Sequence, residues 1–277
     1  MNRGHYLLKL SRPRFWLYLA GPVLVGAVFG AGEPAALLSL PVLALFAFFL
    51  FPANVLLYGV NDIFDADVDE SNPKKDEREV RYGGQRFVRI AVFLSALLGF
   101  ALVPVLPTGS LLWIAGFYLL GVQYSAPPAR FKTTPIFDSV SNGLYFMPGA
   151  ATYVALAGAQ PPALAIAGAW LWTMGMHTFS AIPDIEPDRT AGIETTATLL
   201  GERQTYAYCA GCWALSSLCF GAFDARLGVL FSIYPMLVFA VAFTEIDVSR
   251  AYWWFPAINT AVGALFTMGG LWLLVSG

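Results

Sequence analysis

Two groups of acidic residues stand at the ends of long apolar stretches and are the residues best suited to chemistry. Their members are Asn61, Asp62, Asp65 and Asp69 in the first group and Asp184 and Asp188 in the second. Residues four apart lie on one face of a helix, so each group would direct several oxygen atoms toward one point. Carboxylates massed beside hydrocarbon favour a bound cation, and oxygen ligands without nearby Cys suit magnesium. The pattern predicts a diphosphate held by magnesium ions at a membrane surface.

The composition indicates that membrane helices position these acids. Of the 277 residues, 57% are hydrophobic and 12% are charged, and the mean hydropathy is +0.63. A spanning helix needs about 20 apolar residues, and the chain supplies about nine such stretches. They are predicted at Phe15–Gly30, Ala35–Val60, Phe87–Leu106, Gly109–Gln123, Pro135–Ala157, Pro162–Ile182, Thr205–Phe223, Arg226–Phe243 and Tyr252–Ser276. Since no polar segment is long enough to fold alone, we predict an all-α membrane protein with one domain, residues 1–277.

The placement of the basic residues predicts the orientation of these helices. With nine spans, every Lys and Arg except Arg226 falls on the side of the N-terminus. The positive-inside rule then places the N-terminus in the cytoplasm and the C-terminus outside. Both acidic groups fall on the cytoplasmic side of a multi-pass protein of the cytoplasmic membrane. The formal net charge of -2 gives no reason to expect nucleic acid as a partner.

Further polar residues interrupt the apolar stretches, namely Asn54, Asp138, Asn142 and His177. Asn54 lies seven residues before Asn61, and His177 lies seven before Asp184, so each shares a helical face with an acidic group. Either these side chains line a cavity near the acids, or they form hydrogen bonds between helices. For Asp138 a cavity is favoured, because an ionisable group at the end of a span tends to face one.

The segment Tyr124–Lys132 joins two spans and ends in two cations. Arg130 and Lys132 could bind the non-bridging oxygens of a diphosphate, the first through a planar fork and the second as a point charge. The alternative is that they only anchor the chain at the cytoplasmic surface.

Together these motifs resemble the UbiA superfamily of intramembrane prenyltransferases. The resemblance covers the whole chain and rests on three matches: Asn-x-x-x-Asp-x-x-x-Asp at residues 61–69, Asp-x-x-x-Asp at residues 184–188, and the segment Tyr124–Lys132. That segment is similar to the Tyr-Ser-x-Pro-Pro segment of the chlorophyll synthase branch. The Arg12-Pro13 entry to the first span also fits.

The resemblance implies a bundle around a central cavity open to the membrane. Two magnesium ions would bind the carboxylates and an allylic diphosphate, while Lys132, Arg130 and Arg12 stabilise the departing diphosphate. Tyr124 and Tyr58 would lie near the site, where aromatic faces stabilise an allylic cation. A hydrophobic, lipid-soluble acceptor then traps the cation and loses a proton to Asp138 or to a diphosphate oxygen.

The loop at residues 65–82 resembles the carotenoid branch of the superfamily, the lycopene elongases. Those enzymes add C5 units from dimethylallyl diphosphate to the ends of lycopene, and some also hydrate the product. A quinone precursor, a chlorophyllide or a glycerol lipid is an alternative acceptor. A cation transporter is the alternative from another class, although transport predicts acids near the middle of the membrane rather than at one end.

Overall fold

The computed structural model describes residues 2–66, 80–244 and 246–276, and within those ranges the chain forms helices and no β-strand. The α-helices are α1 (Arg3–Leu10), α2 (Trp16–Gly30), α3 (Leu40–Leu50), α4 (Pro52–Phe64), α5 (Arg86–Phe100), α6 (Thr108–Ser125), α7 (Phe137–Val140), α8 (Met147–Ala157), α9 (Ala163–Ser180), α10 (Ile185–Thr190), α11 (Thr196–Leu200), α12 (Glu202–Gly221), α13 (Ala225–Phe231), α14 (Ile233–Phe243) and α15 (Val248–Ser276). Short 3-10 helices connect several of them. The all-α fold class predicted from the sequence is confirmed.

Within the described ranges, five helical segments are long and apolar enough to cross a membrane. They are Arg3–Gly30, Leu40–Phe64, Arg86–Val105, Ala225–Phe243 and Val248–Ser276. The other four predicted spans also coincide with helices, α6, α7 with α8, α9 and α12, which are shorter or less apolar. The chain is therefore an integral, multi-pass membrane protein.

Two predicted spans are interrupted. At each break a side-chain amide replaces hydrogen bonds that the helix backbone loses there. The predicted span Ala35–Val60 breaks between α3 and α4, where Pro52 has no backbone N–H to donate. Asn54 Nδ2 donates instead to the carbonyl oxygens of Phe49 at 2.9 Å and Leu50 at 3.1 Å.

The predicted span Pro135–Ala157 is likewise divided, into α7, a 3-10 helix at Ser141–Tyr145, and α8. Here Asn142 Nδ2 donates to the carbonyl oxygen of Asp138 at 2.6 Å. At both breaks an asparagine amide compensates backbone carbonyls inside an apolar segment, where an unsatisfied group is costly.

The helices form two compact units. The first comprises Met1–Ala129, Met147–Gln160 and Thr267–Gly277, and its α2 packs closely against α8. A Cβ atom added to Gly26 would lie 2.0 Å from the carbonyl oxygen of Gly149, so these backbones approach only because both positions are glycine.

The second unit comprises Arg130–Phe146 and Pro161–Phe266 and has an aromatic core. Trp213, Tyr234, Phe179 and Phe255 are buried. The rings of Trp213 and Phe255 stack at 5.9 Å, and the Tyr234 hydroxyl donates to Asn259 Oδ1 at 2.9 Å. That the whole chain acts as one domain, residues 1–277, stays a prediction.

Candidate active site

The first acidic group lies at the C-terminal end of α4, in the first unit. Asn61 and Asp62 belong to the last turn of the helix, and Asp65 caps it with its backbone N–H donating to the Asn61 carbonyl oxygen at 3.0 Å. Asp62 and Asp65 are only 2% and 5% exposed. The predicted helical spacing therefore holds from Asn61 to Asp65, whereas Asp69 lies outside the described residues.

Arg12 is placed beside this group by the turn between α1 and α2. Its backbone adopts the left-handed conformation with φ 50°. The guanidinium lies 4.5 Å from the centre of the Tyr58 ring, and Nη2 is 3.4 Å from Asp62 Oδ1. Tyr58 precedes Asp62 by four residues on α4, so one helical face carries both the ring and the carboxylate that orient the cation.

Asn61 is oriented by a contact with α6. Its Nδ2 donates to the Ser125 hydroxyl oxygen at 3.0 Å. The side-chain oxygen Oδ1 of Asn61 is therefore the atom suited to act as a ligand. Tyr124 is half-buried and adjacent to Ser125 at the end of α6. The structure thus brings Arg12, Tyr58 and the Asn61–Asp65 turn together at one end of the first unit.

The second acidic group lies in the second unit, after α9. Asp184 ends a 3-10 helix and caps α10, and Asp188 lies one turn further along α10. Both carboxylates are half-buried. The Ile193 backbone N–H donates to the Asp188 carbonyl oxygen at 2.9 Å, which closes the turn after α10. The neighbouring acid, Glu186, instead pairs with Arg189 at 2.9 Å on the exposed surface.

Asp138, at the start of α7, is completely buried. Oδ2 accepts a hydrogen bond from the Thr196 backbone N–H at 3.0 Å, and Oδ1 accepts one from the Thr196 hydroxyl. His177 Nε2 lies 3.7 Å from Oδ2. Asp138 therefore connects α7 both to α9 and to the segment that follows the second acidic group.

A chain of buried and half-buried hydroxyl groups lies beside Asp138. Ser139 Oγ accepts from the Thr178 hydroxyl at 2.8 Å and lies 2.9 Å from the Tyr208 hydroxyl. Sequence reasoning missed these residues and Thr196, because serine and threonine are common inside membrane helices. Thr195 and Thr198 form a capping box at the start of α11, but Thr198 stands where the sequence signature of such a box has Glu or Gln.

The remaining predicted site residues are Arg130, Lys132, Asn54 and Asn142, and they lie at different places in the fold. Arg130 precedes the 3-10 helix Phe131–Thr133, which contains Lys132; both side chains belong to the second unit and are half-buried. Asn54 is completely buried at the break between α3 and α4. Its amide nitrogen donates to a backbone carbonyl oxygen at that break, and the amide nitrogen of Asn142 does the same at the second break.

The donor atoms of the two acidic groups fit magnesium. Asn61 and Asp65 offer hard oxygen ligands one turn apart at the end of α4. Asp184 and Asp188 offer them one turn apart at the start of α10. Among the described residues, no three His, Cys, Asp or Glu side chains cluster as a complete metal site. Magnesium binds in such incomplete protein sites, because it retains waters and takes further ligands from a substrate phosphate.

An all-helical membrane fold with these two acidic motifs defines a class of intramembrane prenyl-transferring enzymes. Residues 19–255 match the model of the UbiA prenyltransferase family. The chain belongs to this family, so it is a prenyltransferase.

Curated relatives and solved structures agree with this assignment. The chain is 61% identical over 276 residues to a lycopene elongase/hydratase from Haloferax volcanii, with 100% of this chain and 92% of the relative covered. It is 58% identical over 273 residues to a lycopene elongase/hydratase from Halobacterium salinarum, with 98% and 99% covered. A UbiA homolog from Archaeoglobus fulgidus bound to DMAPP and Mg2+ shares the fold, with a TM-score of 0.79, 20% identity, and 98% and 99% of the two chains covered.

Proposed function

We propose that this protein transfers C5 units from dimethylallyl diphosphate to the ends of lycopene in a magnesium-dependent reaction, and that it also hydrates the product. The observation that carries this proposal is the 61% identity to a lycopene elongase/hydratase along the whole chain. A further relative at 56% identity, from Haloarcula japonica, has the same name.

Each acidic motif binds magnesium together with the donor. Asn61, Asp65 and Asp69 hold one ion, and Asp184 and Asp188 hold a second. Bound magnesium neutralises the negative charge that develops on the diphosphate as the allylic C–O bond breaks. The proposal of magnesium is supported by the oxygen-only donor set and by the Mg2+ bound to the Archaeoglobus fulgidus homolog.

The cations near the motifs bind the diphosphate directly. Arg12 is suited to this role, since Asp62 and the Tyr58 ring hold its guanidinium in one orientation before the donor arrives. Asp62, predicted as a metal ligand, would then act by holding Arg12. Arg130 and Lys132 contribute charge from the segment that follows α6, and Tyr124 contributes its hydroxyl.

The hydrocarbon part of the reaction depends on keeping water from the allylic cation until the acceptor reacts. The terminal C=C electron pair of the acceptor attacks the allylic carbon, which forms the new C–C bond and leaves a tertiary cation on the acceptor. Aromatic faces such as that of Tyr58 stabilise this positive charge. Lycopene dissolves in the bilayer, so it must enter from the membrane, since exposing each CH₂ to water would cost ~0.8 kcal/mol.

The orientation proposed from the sequence places this chemistry at the cytoplasmic face. The acidic motifs and all basic residues but Arg226 then share that side with the N-terminus, and the C-terminus is outside. A water-soluble diphosphate donor made in the cytoplasm would reach both motifs without crossing the bilayer.

The experiment that tests the function uses purified protein in lycopene-loaded vesicles with magnesium and dimethylallyl diphosphate. We expect carotenoids of C45 and C50, identified by mass, some of them hydroxylated. Parallel vesicles contain a quinone precursor or a glycerol lipid in place of lycopene. Prenylation of those acceptors with lycopene left at C40 would refute the acceptor assignment.

A further inference from the structure

The name elongase/hydratase implies two outcomes for the same tertiary cation, namely loss of a proton or capture of water. A base favours water capture, because it accepts the proton that the oxygen releases as its lone pair forms the C–O bond. The following inference rests on the proposed function and identifies this base among the residues of the second unit.

Asp138, although predicted as a base, is poorly placed to contact a substrate. It is 0% exposed, and each carboxylate oxygen already accepts a hydrogen bond from Thr196. Because both oxygens already accept hydrogen bonds, this carboxylate is suited to stabilising a positive charge on a neighbouring side chain. The group it faces is His177, whose Nε2 lies 3.7 Å from Oδ2 and whose side chain is 18% exposed.

His177 also lies at a suitable depth. It belongs to the last turn of α9, which ends at Ser180, and Asp184 follows at the end of the 3-10 helix Ile182–Asp184. Under the proposed orientation, the reacting carbons of a C5 donor lie on the membrane side of its diphosphate. A base in the last turn of α9 precedes the acidic motif and therefore lies on the membrane side of the residues that bind the diphosphate.

We propose that His177 is the catalytic base for hydration and that Asp138 is its positioning residue. Water attaches to the tertiary cation through an oxygen lone pair, and its proton passes to Nδ1 of His177. The charge of the Asp138 carboxylate, whose Oδ2 lies 3.7 Å from Nε2, then stabilises the imidazolium. The product is a tertiary alcohol, diphosphate has left with the C–O electron pair, and the proton passes on to solvent.

Elimination does not need this pair, since an oxygen of the departed diphosphate can take a proton from the neighbouring carbon. Loss of His177 should therefore redirect products rather than stop C–C bond formation. We expect His177→Ala to lower the yield of hydroxylated C45 and C50 carotenoids by ~10²-fold or more, with the non-hydroxylated alkenes as the remaining elongated products.

The assay uses vesicles with lycopene, magnesium and dimethylallyl diphosphate in ¹⁸O-labelled water, and the ratio of labelled alcohol to alkene is measured by mass. Imidazole added to His177→Ala should restore the alcohol, which a merely structural histidine would not allow. His177→Gln, of similar size, should show the same shift if the alanine variant is unstable. The matched control is His5→Ala, which removes the other histidine, an exposed residue near the N-terminus.

The positioning role has its own test. Asp138→Asn and Thr196→Val should each lower the ratio of alcohol to alkene, whereas Thr196→Ser, which keeps the hydroxyl donor, should retain it. An unchanged ratio in both His177 variants would overturn the inference, as would wild-type protein that elongates lycopene without hydrating it. Wild-type protein that makes no C45 or C50 carotenoid would instead refute the proposed function.

Discussion

The contact between Arg12 and Asp62 allows the stability and the donor binding of the first unit to be tested separately. Asp62 is 2% exposed and Arg12 Nη2 lies 3.4 Å from its carboxylate, while the guanidinium covers the Tyr58 ring at 4.5 Å. Arg12→Ala removes both interactions. It also withdraws a cation from a carboxylate that is buried at the end of a membrane helix.

The expected loss of stability follows from these two contacts. A hydrogen bond to a charged group contributes about 1.5–3 kcal/mol, and a half-exposed cation over an aromatic ring adds about 0.5–1 kcal/mol. We therefore expect Arg12→Ala to lower the free energy of unfolding by ~2–4 kcal/mol. The double variant Arg12→Ala with Asp62→Asn should regain most of the loss, because the buried charge is gone as well.

Activity should respond differently from stability. If Arg12 binds the diphosphate, the double variant will fold and yet show a KM for the donor raised at least ~10-fold, since one charge-assisted contact of about 1.5 kcal/mol is lost. Thermal unfolding in detergent measures the first effect, and initial rates at varied donor concentration measure the second. Arg3→Ala is the matched control, because Arg3 also lies over a ring, that of Phe87 at 5.8 Å, but is exposed.

Two results would refute this reasoning. A double variant with the wild-type donor KM would show that Arg12 does not contact the diphosphate. An Arg12→Ala variant as stable as the Arg3→Ala control would show that the pair with Asp62 does not support the fold.

Much of the helical framework could be predicted, because a membrane span needs a long apolar stretch and leaves a clear signal. The helix predicted at Phe15–Gly30 is observed at Trp16–Gly30, and that predicted at Gly109–Gln123 is observed at Thr108–Ser125. The break at Pro52 could not be predicted, since membrane helices tolerate proline when neighbouring groups satisfy the backbone. The break within residues 137–147 could not be predicted either, because that stretch contains no proline to mark it. Only the structure shows that Asn54 and Asn142 satisfy the backbone at these breaks.

Part of the candidate site could likewise be predicted from the sequence, and part could not. A spacing of four residues is enough to predict Asn61, Asp65, Asp184 and Asp188 as oxygen ligands of a metal. Their partners depend on tertiary structure, which no local pattern encodes: Asn61 donates to a serine 64 residues away, and Asp138 accepts from a threonine 58 residues away. The roles of the site residues stay predictions.

Two further predictions follow from the motifs and from the packing. Asp65→Ala, Asp184→Ala and Asp188→Ala should each remove most prenyl transfer while the protein still inserts, and EDTA should remove it reversibly. The control Asp224→Asn, at an exposed pair with Arg226, should keep its activity. Full turnover in both Asp184→Ala and Asp188→Ala would contradict the magnesium site. The second concerns the approach of α2 to α8, where a Cβ on Gly26 would lie 2.0 Å from the carbonyl oxygen of Gly149. Because that neighbour is backbone, Gly26→Ala can be accommodated only if the helices separate, and we expect a loss of about 1–3 kcal/mol. Gly21 lies on the same helix with nothing within 4 Å of an added Cβ, so Gly21→Ala should be neutral or stabilising by up to about 1 kcal/mol through helix propensity. Equal thermal midpoints for the two alanine variants in detergent would show that the glycine contact is not what holds α2 against α8.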